Sequence, residues 1–220
     1  DFSSNREVWF DYVADVGDGF NPTYSVAKML AEKNISLAGR EMPRGEILIL
    51  GGDQVYPKAG RDLYQERFKG PYCAAFPYDN ASEQPTMFAI PGNHDWYDGL
   101  SNFLKIFSQK RNIGNWKTAQ SRSYFAIQLP HNWWVWGIDI QLESDVDEQQ
   151  KQYFIEVRKE MEAGARIILC TAEPSWVSTS KREDRSYHNL HFFEEYIACD
   201  GLRDIKVAVT LAGDLHHYSR

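Results

Sequence analysis

The sequence predicts an α/β fold. Two observations carry that reading. Strand-like and helix-like segments alternate along the chain, and acidic or amide residues beside glycine recur where the strands end. Val8–Ala14 is strand-like. Asn21-Pro22 then offers an N-cap and a proline at the first helical position, and Val26, Ala27 and Leu30 give the following helix an apolar face. Glu46–Leu50 and Met87–Ile90 read as short buried strands. Trp96–Lys110 reads as a helix, with Leu100, Phe103, Leu104 and Phe107 at helical spacing. Ser123–Leu129 and Trp133–Ile140 form a strand pair around a turn at Pro130–Asn132. Asp147–Ala163 is a charged amphipathic helix, Arg166–Thr171 a strand, His188–Cys199 a helix and Ile205–Ala212 the last strand. Tyr56–Gln84 and Pro174–Tyr187 are rich in proline, charge and polar residues, and read as surface loops around a site. No internal repeat or low-complexity tract is present.

The chain has 220 residues, a length that a single α/β domain over 1–220 accommodates. A chain of this size buries roughly 70% of its unfolded surface, so its core needs no disulfide or structural metal. The 31 acidic and 24 basic residues give a formal charge of −7. That acidity opposes a polyanionic partner and makes nucleic acid a poor expectation. Cys73, Cys170 and Cys199 are odd in number and widely spaced, so they form neither a disulfide framework nor a zinc motif. Their pattern favours a reducing compartment, the cytoplasm or the cytoplasmic side of a membrane. No apolar run approaches the ~18 residues that span a bilayer. The chain begins at Asp1, just before a strand, and stops at Arg220, just after a motif. The expectation is a domain cut from a longer chain, with any membrane-anchoring segment outside these residues.

Four loops deliver chemistry. Asp15-Val16-Gly17-Asp18-Gly19 follows the first strand, Gly51-Gly52-Asp53-Gln54-Val55-Tyr56 the second, Pro91-Gly92-Asn93-His94-Asp95 the third, and Gly213-Asp214-Leu215-His216-His217 the last. In open α/β sheets the crevice at the carboxyl ends of the strands is where ligands bind. Oxygen and imidazole donors in this mix suit iron, manganese, zinc or nickel better than a metal that seeks thiolates.

The order of these motifs resembles the calcineurin-like metallophosphoesterase superfamily. Its pattern runs D-x-H or D-x-G, G-D-x-x-(D/N/Y), G-N-H-(D/E), a lone His after a strand, and G-H-x-H. Here the blocks are D-V-G, G-D-Q-V-Y, G-N-H-D, T-A-E-P and G-D-L-H, from Asp15 to His216. The D-x-G and G-D-x-x-Y pair is similar to purple acid phosphatases. The resemblance implies a sandwich of two mixed β-sheets flanked by helices. It implies hydrolysis of a small phosphorylated substrate, a monoester or diester, at a centre of two divalent or trivalent metal ions carrying the attacking hydroxide. Asp15, Asp53, Tyr56 and His216 would hold the first ion. Asp53 would bridge to the second, which Asn93 and Asp214 would complete. His94 would contact the phosphoryl group or protonate the leaving group, with Asp95 orienting its ring. Asn93, His94 and His217 would face substrate.

Two departures stand out. Asp214 replaces the first His of G-H-x-H, and carboxylate is a competent ligand. Ala172 stands where the lone His belongs, and alanine cannot ligate. Glu173 or water then substitutes, or the second site is weakened, which gives the alternative of an impaired domain that binds metal and phosphate without turnover. Other residues have plainer readings. Tyr56, before Pro57, could pack as an amphipathic cover rather than ligate. Asp18 between glycines suits a turn or helix start, and Trp133–Trp136 suits core packing. Lys181, Arg182 and Arg185 suit a solvated loop.

Overall fold

The computed structural model describes residues 1–80, 83–140, 146–178 and 185–216. Strand β1 (Phe10–Val13) leads to helix α1 (Phe20–Ala31), then the hairpin β2 (Asn34–Leu37) and β3 (Arg40–Pro43), then β4 (Ile47–Leu50). Helices α2 (Arg61–Tyr64) and α3 (Gly70–Ala75) are joined by a wide π turn, Gln65–Lys69. Next come β5 (Thr86–Ala89), the short α4 (Asn93–Trp96), α5 (Ser101–Phe107), β6 (Asn112–Ile113), β7 (Trp116–Thr118), β8 (Phe125–Gln128) and β9 (Trp133–Gly137). Helix α6 (Glu148–Glu160), β10 (Arg166–Cys170), α7 (Arg185–Phe192) and β11 (Lys206–Leu211) complete the order, with α7 widening into a π turn over Phe193–Ala198.

Two mixed sheets result. One runs β1-β4-β5-β7-β6 and the other β11-β10-β9-β8. Only β6 and β8 pair antiparallel in them. Strand alternation explains how the sheets stack. Ile47, Ile49, Phe88 and Ile90 face the second sheet and share a core with Phe125, Ile127, Val135 and Cys170. Leu48, Leu50, Met87 and Ala89 face the other way, under helices that supply Ala27, Tyr64, Phe68, Tyr72 and Phe103. Trp134, Trp136, Ile167 and Leu169 meet Phe154, Leu190, Phe193 and Ile197 from α6, α7 and the π turn. The layers are therefore helix, sheet, sheet, helix. The tryptophan run is core: Trp136 is fully buried, with Phe154 4.8 Å away.

Several sequence expectations are corrected. Tyr56–Gln84 is not a surface loop throughout. Tyr64, Phe68 and Tyr72 recur at helical spacing and are fully buried, so the segment folds as helix despite its charges. The helix expected over Trp96–Lys110 is interrupted. Gly99 (φ 66°) and Leu100 (φ 61°) turn left-handed, and Asp98 accepts a hydrogen bond from the Asn102 amide at 3.2 Å. α1 starts at Phe20 after Gly19, so Asn21 is not its N-cap and Pro22 sits third in the first turn, where no intrahelical N–H is needed. The strand expected over Trp133–Ile140 ends at Gly137, and α7 begins three residues before His188. Asp147 does cap α6, accepting from the Gln150 amide at 2.8 Å.

Asp139, just past β9, is a buried carboxyl that accepts a hydrogen bond from the Trp96 indole at 2.9 Å. Burial raises its pKa to about 6, against the lowering effect of hydrogen bonds from Ser123 and Trp96. Between about pH 4 and 6 the folded chain holds a proton that the unfolded chain has released, so this group makes stability fall as pH rises. Asp139→Asn should flatten that slope by about 3 kcal/mol across the window. Urea unfolding at both ends of the window checks it, and identical slopes for the two proteins would refute it.

Candidate functional site

The carboxyl ends of β1, β4, β5, β10 and β11 lie on one rim. Backbone strain gathers there: Asp15 (φ 59°), Asp53 (φ 50°), Asp214 (φ 71°) and His216 (φ 49°) all sit in the left-handed region. Two glycines set the approach of the loops. A Cβ on Gly17 would stand 2.2 Å from the Gln54 carbonyl oxygen, and one on Gly92 2.0 Å from Asp53 Oδ1. The loops are then stitched together. The Tyr56 amide donates to the Gly17 carbonyl (3.0 Å), Asp15 to Gly52 (3.1 Å) and Ala59 to His94 (3.0 Å). The Asp214 amide donates to both Asp15 carboxylate oxygens, at 3.0 and 2.9 Å.

The structure brings Asp15, Asp53, Tyr56 and His216 together. The Tyr56 hydroxyl lies 3.0 Å from Asp53 Oδ2, 3.3 Å from Asp15 Oδ1 and 2.8 Å from His216 Nε2. A hydroxyl carries one proton, so it cannot serve two carboxylates at once. Burial raises the pKa of both Asp15 and Asp53. Burial and the two carboxylates push Tyr56 far above the usual phenol range. Among the described residues none of Asp15, Asp53, Asp95 or Asp214 is paired with a lysine or arginine. The cluster is thus rich in acceptors and short of positive charge.

Asn93 opens α4, and its side-chain oxygen is buried without a hydrogen-bond partner among the described residues. The His94 amide donates to Asp53 Oδ1 at 3.0 Å. The expected His94–Asp95 pairing is not formed. His94 Nδ1 stands 2.6 Å from the Pro57 carbonyl, which keeps that nitrogen protonated and leaves Nε2 for other work. Asp95 is fully buried and turned away. Its carboxylate accepts from the amides of Gly92 (2.9 Å) and Gln54 (3.3 Å) and from the Tyr64 hydroxyl, so it buttresses the second and third loops. The reason is burial: four polar groups, the carboxylate, two amides and a phenol, meet where water cannot reach. Asp18 is exposed, outside the cluster. His217, Lys181 and Arg182 lie outside the described residues. Ala172 is buried, lies against Gly52 and accepts from the Gly213 amide at 3.1 Å.

Among the described residues no group of three or more His, Cys, Asp and Glu side chains is placed to hold a metal ion. The Tyr56 phenol stands between the carboxylates and the imidazole. Sequence reasoning missed Tyr64 and Arg67, which support these loops from the α2–α3 segment. The spacing of Tyr64, Phe68 and Tyr72 was the signal that marked that segment as helix. A cleft of about 960 Å³ adjoins the last loop, lined by Pro174, Trp176, Tyr187, Leu190, Gly213 and Leu215 among others.

The profile of the calcineurin-like phosphoesterases matches residues 9–218, nearly the whole chain and all four loops. The chain belongs to the calcineurin-like phosphoesterase family. No curated protein and no solved structure matches it. Membership agrees with the helix-flanked pair of mixed sheets. As a calcineurin-like phosphoesterase the chain carries its acidic loops at the strand ends, as the motif order implied. Among the described residues no helix is long and apolar enough to cross a membrane.

Proposed function

We propose that this chain hydrolyses a small phosphate monoester or diester with metal ions held by the four loops. The observation that carries this reading is the convergence of Asp15, Asp53 and His216 on the Tyr56 hydroxyl without a countercharge. These residues fit a first ion: two carboxylates, a phenol and an imidazole are hard and borderline donors. The unpartnered Asn93 oxygen fits a second, which Asp53 would share and Asp214 would complete. That second set is short of one ligand at Ala172.

The ions, when bound, supply positive charge to the phosphoryl oxygens and to the attacking water. The chain's own residues set the geometry. The strained loops fix Asp15 and Asp53 before substrate arrives, so little reorganisation is needed in the reaction. The Pro57 carbonyl sets the His94 tautomer, so Nε2 can donate to a phosphoryl or leaving-group oxygen once protonated. Asp95 acts through the backbone, holding the Gly92 and Gln54 amides in place. Substrate identity would be read by the loops around the cleft beside Gly213. The acidic charge of −7 supports a small substrate over nucleic acid.

The test is turnover of an aryl phosphate monoester and diester by protein stripped with chelator and reloaded with manganese, iron or zinc. Reloading should restore a rate that chelation removes. No turnover of either ester with any metal, despite metal uptake, would favour the second reading. That reading, a domain that binds metal and phosphate without turnover, rests on Ala172.

Tyr56 offers a spectroscopic check. A phenolate is a hard anionic donor suited to ferric iron, and its direct coordination gives a charge-transfer colour. Protein loaded with ferric iron should absorb visible light, and Tyr56→Phe should abolish the band while leaving the fold intact. A band that survives the substitution would remove Tyr56 from the ligand set.

A further inference from the structure

We infer that Arg67 is a positioning residue of the site, a guanidinium clamp that holds the first and second loops in register. Its Nη1 donates to the Asp18 carbonyl at 2.9 Å and to the Tyr56 carbonyl at 3.0 Å. One nitrogen therefore ties a residue of the first loop to the residue at the centre of the acidic cluster. Both acceptors are backbone oxygens, so the contact fixes chain path rather than a side chain.

The bond is made where the loops are already closest. The Tyr56 amide donates to Gly17 at 3.0 Å on one side of that residue, and Arg67 takes its carbonyl on the other. A residue held through the N–H of the peptide before it and the C=O of the peptide after it has little backbone freedom, and the phenol it carries inherits that rigidity. A charged donor is suited to the task, because hydrogen bonds from a guanidinium are shorter and stronger than neutral ones.

The placement of Arg67 follows from its helix. Tyr64 and Phe68 are both fully buried, and the wide turn Gln65–Lys69 lies between α2 and α3. π turns of this kind recur at functional sites because they redirect a side chain out of helical register. Tyr64, one turn earlier, donates to Asp95, which holds the Gly92 and Gln54 amides. Arg67 Nε is buried with no hydrogen-bond partner among the described residues, an unfavourable arrangement that the two carbonyl bonds of Nη1 accompany. One helical segment, with no place in any of the motifs, thus supports three of the four loops.

This inference rests on the phosphoesterase reading only for its kinetic consequence, so the test has a metal-free arm. Hydrogen exchange of the Tyr56 amide is measured in chelator-treated wild type, Arg67→Met and Arg67→Lys, with Ile49 as the core reference. Arg67→Met should speed exchange at Tyr56 at least tenfold and leave Ile49 unchanged, and Arg67→Lys should restore most of the protection. In the metal-loaded enzyme kcat on an aryl phosphate should fall about tenfold to a hundredfold, with KM changing less than threefold. Faster exchange in a protein whose wild type has no turnover would support the clamp and overturn the phosphoesterase reading. Unchanged exchange in Arg67→Met would overturn the clamp. So would a raised KM at constant kcat, which would make Arg67 a substrate contact.

Discussion

Asp53→Asn is expected to lose at least one bound metal ion and to lower phosphoesterase turnover by about a hundredfold to a thousandfold, the scale of losing one preorganised charge-stabilising group. Asp53 is 3% exposed and contacts both halves of the site, the Tyr56 hydroxyl through Oδ2 and the His94 amide through Oδ1. Asparagine has the same shape. Its oxygen can keep the His94 amide, and its nitrogen can donate to the phenol oxygen, so the fold should be retained. The metal-free variant should in fact be at least as stable as wild type at neutral pH. Burial raises the Asp53 pKa, and the neighbouring Asp214 adds to the rise, so removing the ionisable group removes a cost to folding. The stabilisation that wild type gains from added metal should largely disappear, because only binding to the folded state shifts the unfolding equilibrium. Thermal unfolding with and without metal, beside elemental analysis, reads both effects. Full metal occupancy in the variant would show that Asp53 does not bridge two ions.

Ala172→His should act in the opposite direction, raising metal stoichiometry and turnover together. Ala172 lies two residues past the end of β10 and is tied to the last loop through the Gly213 amide. It also lies against Gly52, the residue before Asp53. On the proposed function, an imidazole placed there would join Asn93, Asp53 and Asp214 around the second ion. The gain should be about tenfold to a thousandfold in rate, by analogy with restoring one group that stabilises transition-state charge. The pocket is tight, since Ala172 is 3% exposed, so the larger side chain should cost about 1–3 kcal/mol of metal-free stability. Ala172→Leu separates the two effects: it should carry the same packing cost and give no gain in metal or rate. Equal metal content and equal rates in the histidine variant and wild type would point to Glu173 or water as the existing ligand.

How much of this was legible in the sequence depended on whether the signal was local. Glu46–Leu50 and Met87–Ile90 read as buried strands because their apolar residues are contiguous, and both strands lie inside the first sheet. The four loops were readable because Gly-Asp and Gly-Asn-His-Asp follow those strands, and turning the chain at a strand end demands small residues. The break at Gly99 was missed because Leu100, Phe103 and Phe107 keep helical spacing from the turn that Asp98 initiates onward, so the apolar pattern shows no gap. The α2–α3 segment was missed because Arg61, Glu66 and Lys69 surround a buried face whose large residues are Tyr64, Phe68 and Tyr72. Partnership was the least legible property. The Gly92 amide, three residues back, is a local partner for Asp95, but nothing local adds Tyr64 and the Gln54 amide in place of its neighbour His94. That choice is made by the packing of a helix that begins about thirty residues earlier. The Arg67 bonds to two carbonyls are equally invisible, since backbone acceptors leave no mark on residue type.

The central claim is that the Asp15, Asp53, Tyr56 and His216 cluster is a metal-dependent phosphoester hydrolysis centre. The most direct measurement titrates manganese, iron or zinc into chelator-stripped protein while following bound metal and aryl phosphate turnover on the same samples. The account predicts one tightly bound ion, a second bound more weakly because of Ala172, and a rate that rises with occupancy of the second. Protein that takes up no metal, or that turns over the ester equally well when stripped, would contradict it.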